Sequence, residues 1–338
     1  MKRFLLLVSF AAIASGAVAE TLSVATVNTW SGLTYQGVFS VGEYEDRATR
    51  AFRFGLLADA LLALEPDVVA LQEANPLPRY AEELARRLPG YDSVAAVRQA
   101  GVRVGPVGLP ANLREGDILL ADRARGLTRT AVKQLAGPGA GDVAALQLGS
   151  GTQMLAATIE AAGRTVHLFT TRWTPSPQAD RSRLVGLVDE YASGNLGGDE
   201  LAKLVGEAVR GSERRRQEAR ESVAFINETA GRDPAILMGS LFALPDSEEI
   251  RILREAGFVD VWAAVGPSSG YTFDAASNAN ILQYDLASHP DERARYDYVF
   301  IRGDGIVARS ARVILVTPTY GVHPSAHYGI YAEIRIDP

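Results

Sequence analysis

Short apolar runs that end at polar residues constrain the fold of this chain more than any other feature. The run Val-Val-Ala-Leu at 68–71 leads into Gln72 and Glu73. The run Ala-Ile-Leu-Met at 235–238 leads into Gly239. Runs of this kind are typical of strands that are buried on both faces of a sheet. Amphipathic helical stretches alternate with them, so the sequence predicts an α/β fold with polar groups at the strand ends.

The same patterns predict elements along most of the chain. Strands are predicted at 22–28, 67–73, 165–171, 235–238, 295–303 and 328–336. Helices are predicted at 50–64, 80–88, 213–230 and 246–256. Segments 101–113 and 193–212 look inserted, the first rich in Gly and Pro and the second a short helix between flexible flanks. We predict a single α/β domain over residues 20–338.

The first nineteen residues have the pattern of a signal peptide. Lys2 and Arg3 form a basic start, residues 4–13 are apolar, and small residues at 17–19 form a cleavage motif. The apolar run is too short for a membrane span, and no later segment is a candidate. We expect residues 1–19 to be removed and the mature protein to be exported, either periplasmic or secreted.

Composition excludes several classes of chemistry. The chain has no cysteine, which excludes disulfides, zinc–thiolate sites and cysteine nucleophiles. Its net charge is −6, and removal of the signal peptide, which carries two positive charges, takes it to about −8. A negative net charge disfavours tight nonspecific binding to nucleic acid, because such binding depends on Lys and Arg that neutralise phosphates.

Four polar residues at the ends or starts of predicted strands are candidate site residues: Asn28, Glu73, Asp297 and His327. Taken one at a time, each has a structural explanation. A strand-terminal Asn is most often a turn former, and an Asp at a strand start often accepts structural hydrogen bonds. A Glu after an apolar run often reaches the surface, and a single His more often has a structural role than a catalytic one.

The order of these residues is more specific than any one of them. Six motifs, in this order, resemble those of the endonuclease/exonuclease/phosphatase superfamily, the fold of DNase I, sphingomyelinases and inositol-phosphate phosphatases. They are ATVNTWSGL (25–33), PDVVALQEA (66–74), EGDILLADR (115–123), GYTFDAASNANI (270–281), RYDYVFIRG (295–303) and PSAHYGIYAEI (324–334). The resemblance covers about residues 21–336. It implies a DNase I-like α/β/β/α sandwich of four layers, in which helices cover two packed sheets.

The resemblance also assigns roles to the four candidates. Glu73 would ligate Mg²⁺, with Asn28 beside it, and a hard cation of this kind takes oxygen ligands and keeps several waters. His327 would contact the scissile phosphate as an acid–base or charge-stabilising group. Asp297 would hold the other imidazole nitrogen and favour the protonated ring.

Four positions depart from the superfamily pattern. The superfamily has Gly-Asp-Phe-Asn where this chain has Ser240 and Phe242 in the second and fourth places. Its strand-end His corresponds to Arg172, and the Asp of its closing Ser-Asp-His corresponds to Ala326. The resemblance therefore predicts weakened Mg²⁺ binding and an inactive or strongly impaired hydrolase, a pseudoenzyme.

Two other interpretations remain open at this point. The chain is an active metal-dependent phosphodiesterase or phosphatase if other residues supply the oxygen ligands, and the candidates are Tyr271, Asp274, Asn278 and Asp180. It is an unrelated α/β binding protein if the motifs agree by chance. The expected partner is a small phosphate ester or a lipid headgroup rather than nucleic acid, and the oligomeric state is left open.

Overall fold

The structure, a computed structural model, describes residues 18–33, 44–97, 101–104, 107–110, 115–135, 144–147, 152–268, 270–287 and 292–338. Most of the predicted signal peptide, residues 1–17, lies outside the described residues, and its removal stays a prediction. No helix in the described ranges is long and apolar enough to cross a membrane.

Strands and helices alternate through the described ranges. The strands, β1 to β17 in chain order, span Glu20–Asn28, Val68–Ala74, Tyr91–Val97, Gly101–Val104, Val107–Pro110, Gly116–Asp122, Thr128–Gln134, Ala144–Gln147, Gln153–Ala161, Arg164–Arg172, Ala235–Ser240, Val259–Asp260, Phe273–Asp274, Arg293–Ala294, Asp297–Arg302, Ile306–Ile314 and Gly329–Ile336. The helices, α1 to α7, span Arg47–Leu64, Arg79–Arg87, Arg181–Ala192, Gly198–Ala230, Glu248–Glu255, Val261–Val265 and Ala279–Tyr284.

Two six-stranded sheets form the centre of the molecule. The first has the order β16-β17-β1-β2-β6-β3, and the second has the order β12-β15-β11-β10-β9-β7. Val24 and Val68 of the first sheet belong to the same buried apolar cluster as Leu168 and Ile236 of the second. The sheets therefore pack face to face, with the main core between them.

Helices cover the two outer faces. Leu57 of α1 and Leu84 of α2 belong to a second apolar cluster with the first sheet. Phe225 of α4 and Leu253 of α5 belong to a third cluster with the second sheet. This arrangement is the α/β/β/α sandwich of four layers that the sequence predicted.

Helix α4 corrects the prediction for segment 193–212. It runs over Gly198–Ala230 as one helix of 33 residues, so the expected short helix with flexible flanks is wrong. Glycines lower helix propensity, which is why this segment looked loose in the sequence. Gly211 is required by packing, because a Cβ there would lie 2.3 Å from the Cβ of Ser176.

Segment 101–113, which also looked loose, contains ordered strands. β4 pairs with β5 and with β8 in a small three-stranded sheet. Residues 105–106 and 111–113 of this segment lie outside the described residues.

Candidate functional site

The polar strand ends meet at one edge of the sandwich. β1 is parallel to β2, and β10 is parallel to β11. Four of the sequence candidates lie in or at the carboxyl ends of these strands: Asn28, Glu73, Arg172 and Ser240. Asp297 begins the antiparallel strand β15 and pairs with the last residue of β11. The Gln72 amide donates a hydrogen bond to Thr170 Oγ1 at 2.9 Å, which joins the two sheets at this edge.

Glu73 lies in a β-bulge that aims its side chain. The pairing of β2 with β6 shifts between Leu71 and Ala74, and Glu73 has a φ of 58°, which is uncommon for a residue with a Cβ. The Asn28 amide donates to Glu73 Oε1 at 2.8 Å, and the Ser31 backbone N–H donates to Oε2 at 3.2 Å. The structure thus brings Asn28 and Glu73 together, although the sequence does not show the bulge that does so.

Arg172 forms a buried ion pair with Glu73. Its Nε lies 2.5 Å from Glu73 Oε1, and the two side chains are only 4% and 5% exposed. The guanidinium carbon lies 5.3 Å from the centroid of the Phe242 ring. The sequence predicted a positive charge near the site at position 172, but it did not predict this direct contact.

His327 and Asp297 form a second buried pair. His327 Nδ1 lies 2.8 Å from Asp297 Oδ2. Because an ionised carboxylate only accepts hydrogen bonds, Nδ1 carries the proton in this contact. Ser325 Oγ accepts from the His327 backbone N–H at 3.1 Å and donates to the Asn28 carbonyl at 2.5 Å. The loop that carries His327 is therefore attached to the end of β1.

Aromatic rings surround the imidazole of His327. The ring centroids of Phe242 and Phe273 each lie 5.4 Å from that of His327, in edge-on geometry. Phe242 also stacks on Tyr296, at 5.6 Å between centroids, and Ala326 is buried in the same apolar cluster. The positions at which the resemblance expects Asn and Asp, Phe242 and Ala326, are therefore used for apolar packing.

Ser240 is buried at the centre of this edge. Its Oγ and the Oδ1 of Asp297, which lies opposite it in the β11–β15 ladder, have no hydrogen-bond partner among the described residues. The Trp173 backbone N–H donates to the Ser240 carbonyl at 3.0 Å. Within the described ranges no His or Lys makes a hydrogen bond with Ser240 Oγ, so nothing there activates it as a nucleophile.

The side chains around Glu73 do not fit a Mg²⁺ ion, which prefers six oxygen ligands in octahedral geometry. Both carboxylate oxygens of Glu73 are already engaged, because Oε1 accepts from Asn28 and lies against Arg172, and Oε2 accepts from Ser31. The side-chain oxygen of Asn28 accepts from the Trp30 backbone N–H at 2.9 Å. In the part of the chain that the structure describes, no three His, Asp or Glu side chains are grouped so that they could hold a metal.

Three of the four residues considered as replacement ligands make other hydrogen bonds. Asp274 accepts from Arg293 Nε at 3.0 Å, and Asn278 donates to a carbonyl of the closing loop at 3.0 Å. Asp180 accepts from a backbone N–H at the start of α3 at 3.2 Å, and Tyr271 is 45% exposed. The structure therefore does not gather these four candidates around one cation.

Arg53, which supports two loops of the site, was not among the residues predicted from the sequence. Its buried guanidinium lies 2.5 Å from Glu45 and donates to the carbonyls of Thr29 at 3.0 Å and Pro324 at 2.8 Å. One feature of the sequence could have identified Arg53: it lies beside Phe54 on the buried face of α1, where a charged residue is unusual.

Helix α4 supports the segment that follows β10, a role that the sequence did not show. Glu218 accepts from the backbone N–H of Thr174 at 2.9 Å and from its hydroxyl at 2.6 Å, and burial raises the pKa of Glu218. Further along this segment, Gln178 Nε2 donates to the Phe242 carbonyl at 2.8 Å. The long helix thus reaches the site through the loop between β10 and α3.

No protein-family model and no curated protein matches the sequence of this chain. Solved structures do match its fold. An endonuclease/exonuclease/phosphatase of Bacteroides vulgatus is 14% identical over 94% of this chain and 100% of its own, with a TM-score of 0.62. TDP2 of D. rerio, solved with a single-strand DNA product, is 18% identical over 93% of this chain and 98% of its own, with a TM-score of 0.59.

A third similar structure is a mannosyl-6-phosphatase of Bacteroides thetaiotaomicron. It is 13% identical over 93% of this chain and 99% of its own, with a TM-score of 0.60. The chain therefore has the DNase I-like fold of the endonuclease/exonuclease/phosphatase superfamily, as the sequence motifs predicted. Identities this low establish the fold alone, so any statement about activity has to come from the site.

Proposed function

We propose that this chain is an exported protein of the DNase I-like fold that binds a phosphate ester and hydrolyses it weakly or not at all. The observation that carries the proposal is that Arg172 and His327 lie next to the same Phe242 ring, although each is paired with a different carboxylate. The Arg172 guanidinium carbon is 5.3 Å from the Phe242 ring centroid, and the His327 ring centroid is 5.4 Å from it. A guanidinium and the Nε2–H of a protonated imidazole are donors that phosphate oxygens bind well. Asp297 holds the imidazole in one orientation for such a ligand.

Weak hydrolysis follows from the groups that the site lacks relative to the superfamily pattern. The resemblance expects carboxylates at Ser240 and Ala326 and an amide at Phe242. A positioned general base contributes about 10²–10⁴-fold in rate, and loss of one electrostatic donor costs about 2.7–4 kcal/mol. Such losses are not additive within one catalytic unit, but together they leave little turnover.

The expected ligand is a small phosphate ester or a lipid headgroup. The net charge of −6 supports this choice over nucleic acid, because nonspecific binding to a phosphate backbone needs many cationic side chains. Export is proposed from the basic and apolar pattern of residues 1–19.

Hydrolysis assays with purified protein test the proposal. We expect bis(p-nitrophenyl) phosphate and p-nitrophenyl phosphate to be hydrolysed at most slightly faster by the protein than by its His327→Ala variant, whether Mg²⁺, Mn²⁺ or EDTA is present. Binding of inorganic phosphate should be weaker in the His327→Ala variant, because the variant loses the imidazole donor. Rapid metal-dependent turnover that disappears with His327→Ala would contradict the proposed loss of activity.

An active hydrolase is the second candidate, and the intact His327–Asp297 pair favours it. At 2.8 Å this pair has the geometry of a general base with its orienting carboxylate. The same assays separate the two candidates, because an active enzyme must show turnover that depends on both His327 and Asp297.

A further inference from the structure

We infer that the Arg172 guanidinium is the resident cation of this site, so that Glu73 is neutralised without a divalent metal and phosphate binds independently of metal. The inference deepens the proposed function by naming the charge that receives the phosphate. It starts from the 2.5 Å separation of Arg172 Nε and Glu73 Oε1, in side chains that are 4% and 5% exposed. A charge buried this deeply requires a partner, and each of these two supplies it for the other.

The course of the backbone explains why the side chains of Arg172 and Glu73 are in contact. Thr170 and Arg172 lie two positions apart in β10 and so share one face of the strand. Thr170 Oγ1 accepts from Gln72 Nε2 of the other sheet at 2.9 Å, which shows that this face looks toward the first sheet. The bulge at Glu73 then brings its carboxylate to the side chain at position 172. The ion pair therefore bridges the two sheets at the edge where the site lies.

A divalent cation would have to displace this pair. Glu73 Oε1 accepts from Asn28 as well as contacting Arg172, and Oε2 accepts from the backbone N–H of Ser31. A guanidinium stays protonated at every pH at which a protein is folded, so Arg172 keeps its positive charge. Mg²⁺ beside the buried guanidinium would also meet a like charge in a medium of low dielectric constant.

The position of Arg172 also suits an anion at His327. The guanidinium carbon lies 5.3 Å from the Phe242 ring centroid, and the same ring lies edge-on to His327 at 5.4 Å. A fixed positive charge and an imidazole that Asp297 orients are therefore both next to the Phe242 ring. A phosphate oxygen that accepts from the imidazole is stabilised by this charge, which needs no metal to be present.

The central variant is Arg172→Gln. It removes the positive charge that lies against the Glu73 carboxylate and retains a polar side chain. We expect this variant to bind Mn²⁺, detected by electron paramagnetic resonance and by a metal-dependent rise in melting temperature, whereas the parent shows neither. Inorganic phosphate should bind the variant about ten- to a hundredfold more weakly in EDTA, as loss of a charged hydrogen-bonding group implies.

Two further variants serve as controls. Arg295→Gln breaks another buried ion pair, with Asp260 at 2.7 Å, and should lower stability without any gain of Mn²⁺ binding. The double variant Arg172→Gln/Glu73→Gln removes the freed carboxylate, so its Mn²⁺ binding should disappear again. If Arg172→Gln does not fold, Glu73→Gln decides the question in its place. It should bind phosphate at least as tightly as the parent if Arg172 is the cation.

Two results would overturn the inference. The first is Mn²⁺ or Mg²⁺ binding by the parent protein that Glu73→Gln abolishes. The second is phosphate binding by the parent that requires a divalent metal. A parent that binds no phosphate under any condition would refute the proposed function, but Mn²⁺ binding gained by Arg172→Gln would still establish Arg172 as the cation that neutralises Glu73.

Discussion

His327 Nδ1 lies 2.8 Å from Asp297 Oδ2, although 30 residues separate the two in the chain. Asp297 opens strand β15, and His327 lies just before β17, so the contact links the second sheet to the closing loop of the first. Both side chains are buried, so neither partner can be removed without leaving a polar group unpaired. The pair is therefore a fixed part of the site's architecture.

Replacement of Asp297 tests how firmly this contact holds the imidazole. Asp297→Ala should lower the free energy of unfolding by about 1–3 kcal/mol, because it leaves a buried N–H without an acceptor. Asp297→Asn retains an acceptor oxygen and should cost less. Urea denaturation gives the stability, and titration with inorganic phosphate gives the affinity, which should fall in the Ala variant. Unchanged phosphate affinity in a folded Asp297→Ala protein would show that the carboxylate does not orient His327.

The Ser325 hydroxyl should matter for the same ligand. It donates to the Asn28 carbonyl at 2.5 Å and accepts from the His327 backbone N–H at 3.1 Å. We expect Ser325→Ala to cost about 1–3 kcal/mol of stability and to weaken phosphate binding. Ser247→Ala is the matched control, because Ser247 caps α5, and its loss costs about 1 kcal/mol. Equal phosphate affinities in the two variants would argue against a link from β1 to His327.

His323 should make stability depend on pH. Its Nδ1 accepts from the Ala279 backbone N–H at 3.1 Å, and its Nε2 donates to the Val316 carbonyl at 3.2 Å, an arrangement that only the neutral ring satisfies. Burial lowers the pKa of His323 below its ordinary value of 6.5. As the pH falls through 6.5, the unfolded chain takes up a proton that the folded protein still excludes, so the free energy of unfolding should decrease.

The pH effect is measured by denaturant unfolding above and below pH 6.5 in the parent and in His323→Gln. The variant lacks the titrating ring, so its stability should fall less over this interval. Other titrating groups act in both proteins and cancel in the comparison. Identical pH dependence in the two proteins would mean that His323 is not held neutral by the fold.

The sequence predicted the strands of the two central sheets well, because burial leaves a direct pattern in the sequence. Apolar runs such as 68–71 and 235–238 report burial directly, and the strands they predicted lie in the centres of the two sheets. The long helix α4 was partly missed because Gly211 looks like a helix breaker, whereas it permits close packing against Ser176. Such a contact between distant segments leaves no local trace in the sequence.

The site was predicted less completely than the scaffold. Ordered motifs predicted that Asn28, Glu73, Asp297 and His327 would lie near one edge, and the structure places them there. The ion pair of Arg172 with Glu73 was not predictable, because it depends on a bulge and on the packing of one sheet against the other. The metal-binding role that the resemblance implied for Glu73 stays a prediction, and the observed contacts oppose it.

Rebuilding the superfamily pattern tests whether hydrolysis was lost at these positions. The quadruple variant Arg172→His, Ser240→Asp, Phe242→Asn and Ala326→Asp should gain Mg²⁺-dependent hydrolysis of an aryl phosphodiester, whereas each single change should do little. Phe242→Asn is expected to cost about 3 kcal/mol or more, because the ring packs on Tyr296 and His327. A folded variant that binds Mg²⁺ and hydrolyses no phosphoester would show that the site differs from the superfamily beyond these four residues.

The most direct test of the central claim is calorimetric titration of the parent protein with inorganic phosphate in EDTA, repeated with excess Mg²⁺. The contacts of Arg172 and His327 with Phe242 predict saturable binding of one phosphate per chain, with the same affinity in both buffers. The His327→Ala variant should bind about tenfold more weakly or worse. Absence of binding in EDTA, with binding restored by Mg²⁺, would contradict the claim that the protein supplies its own cation and receives phosphate without a metal.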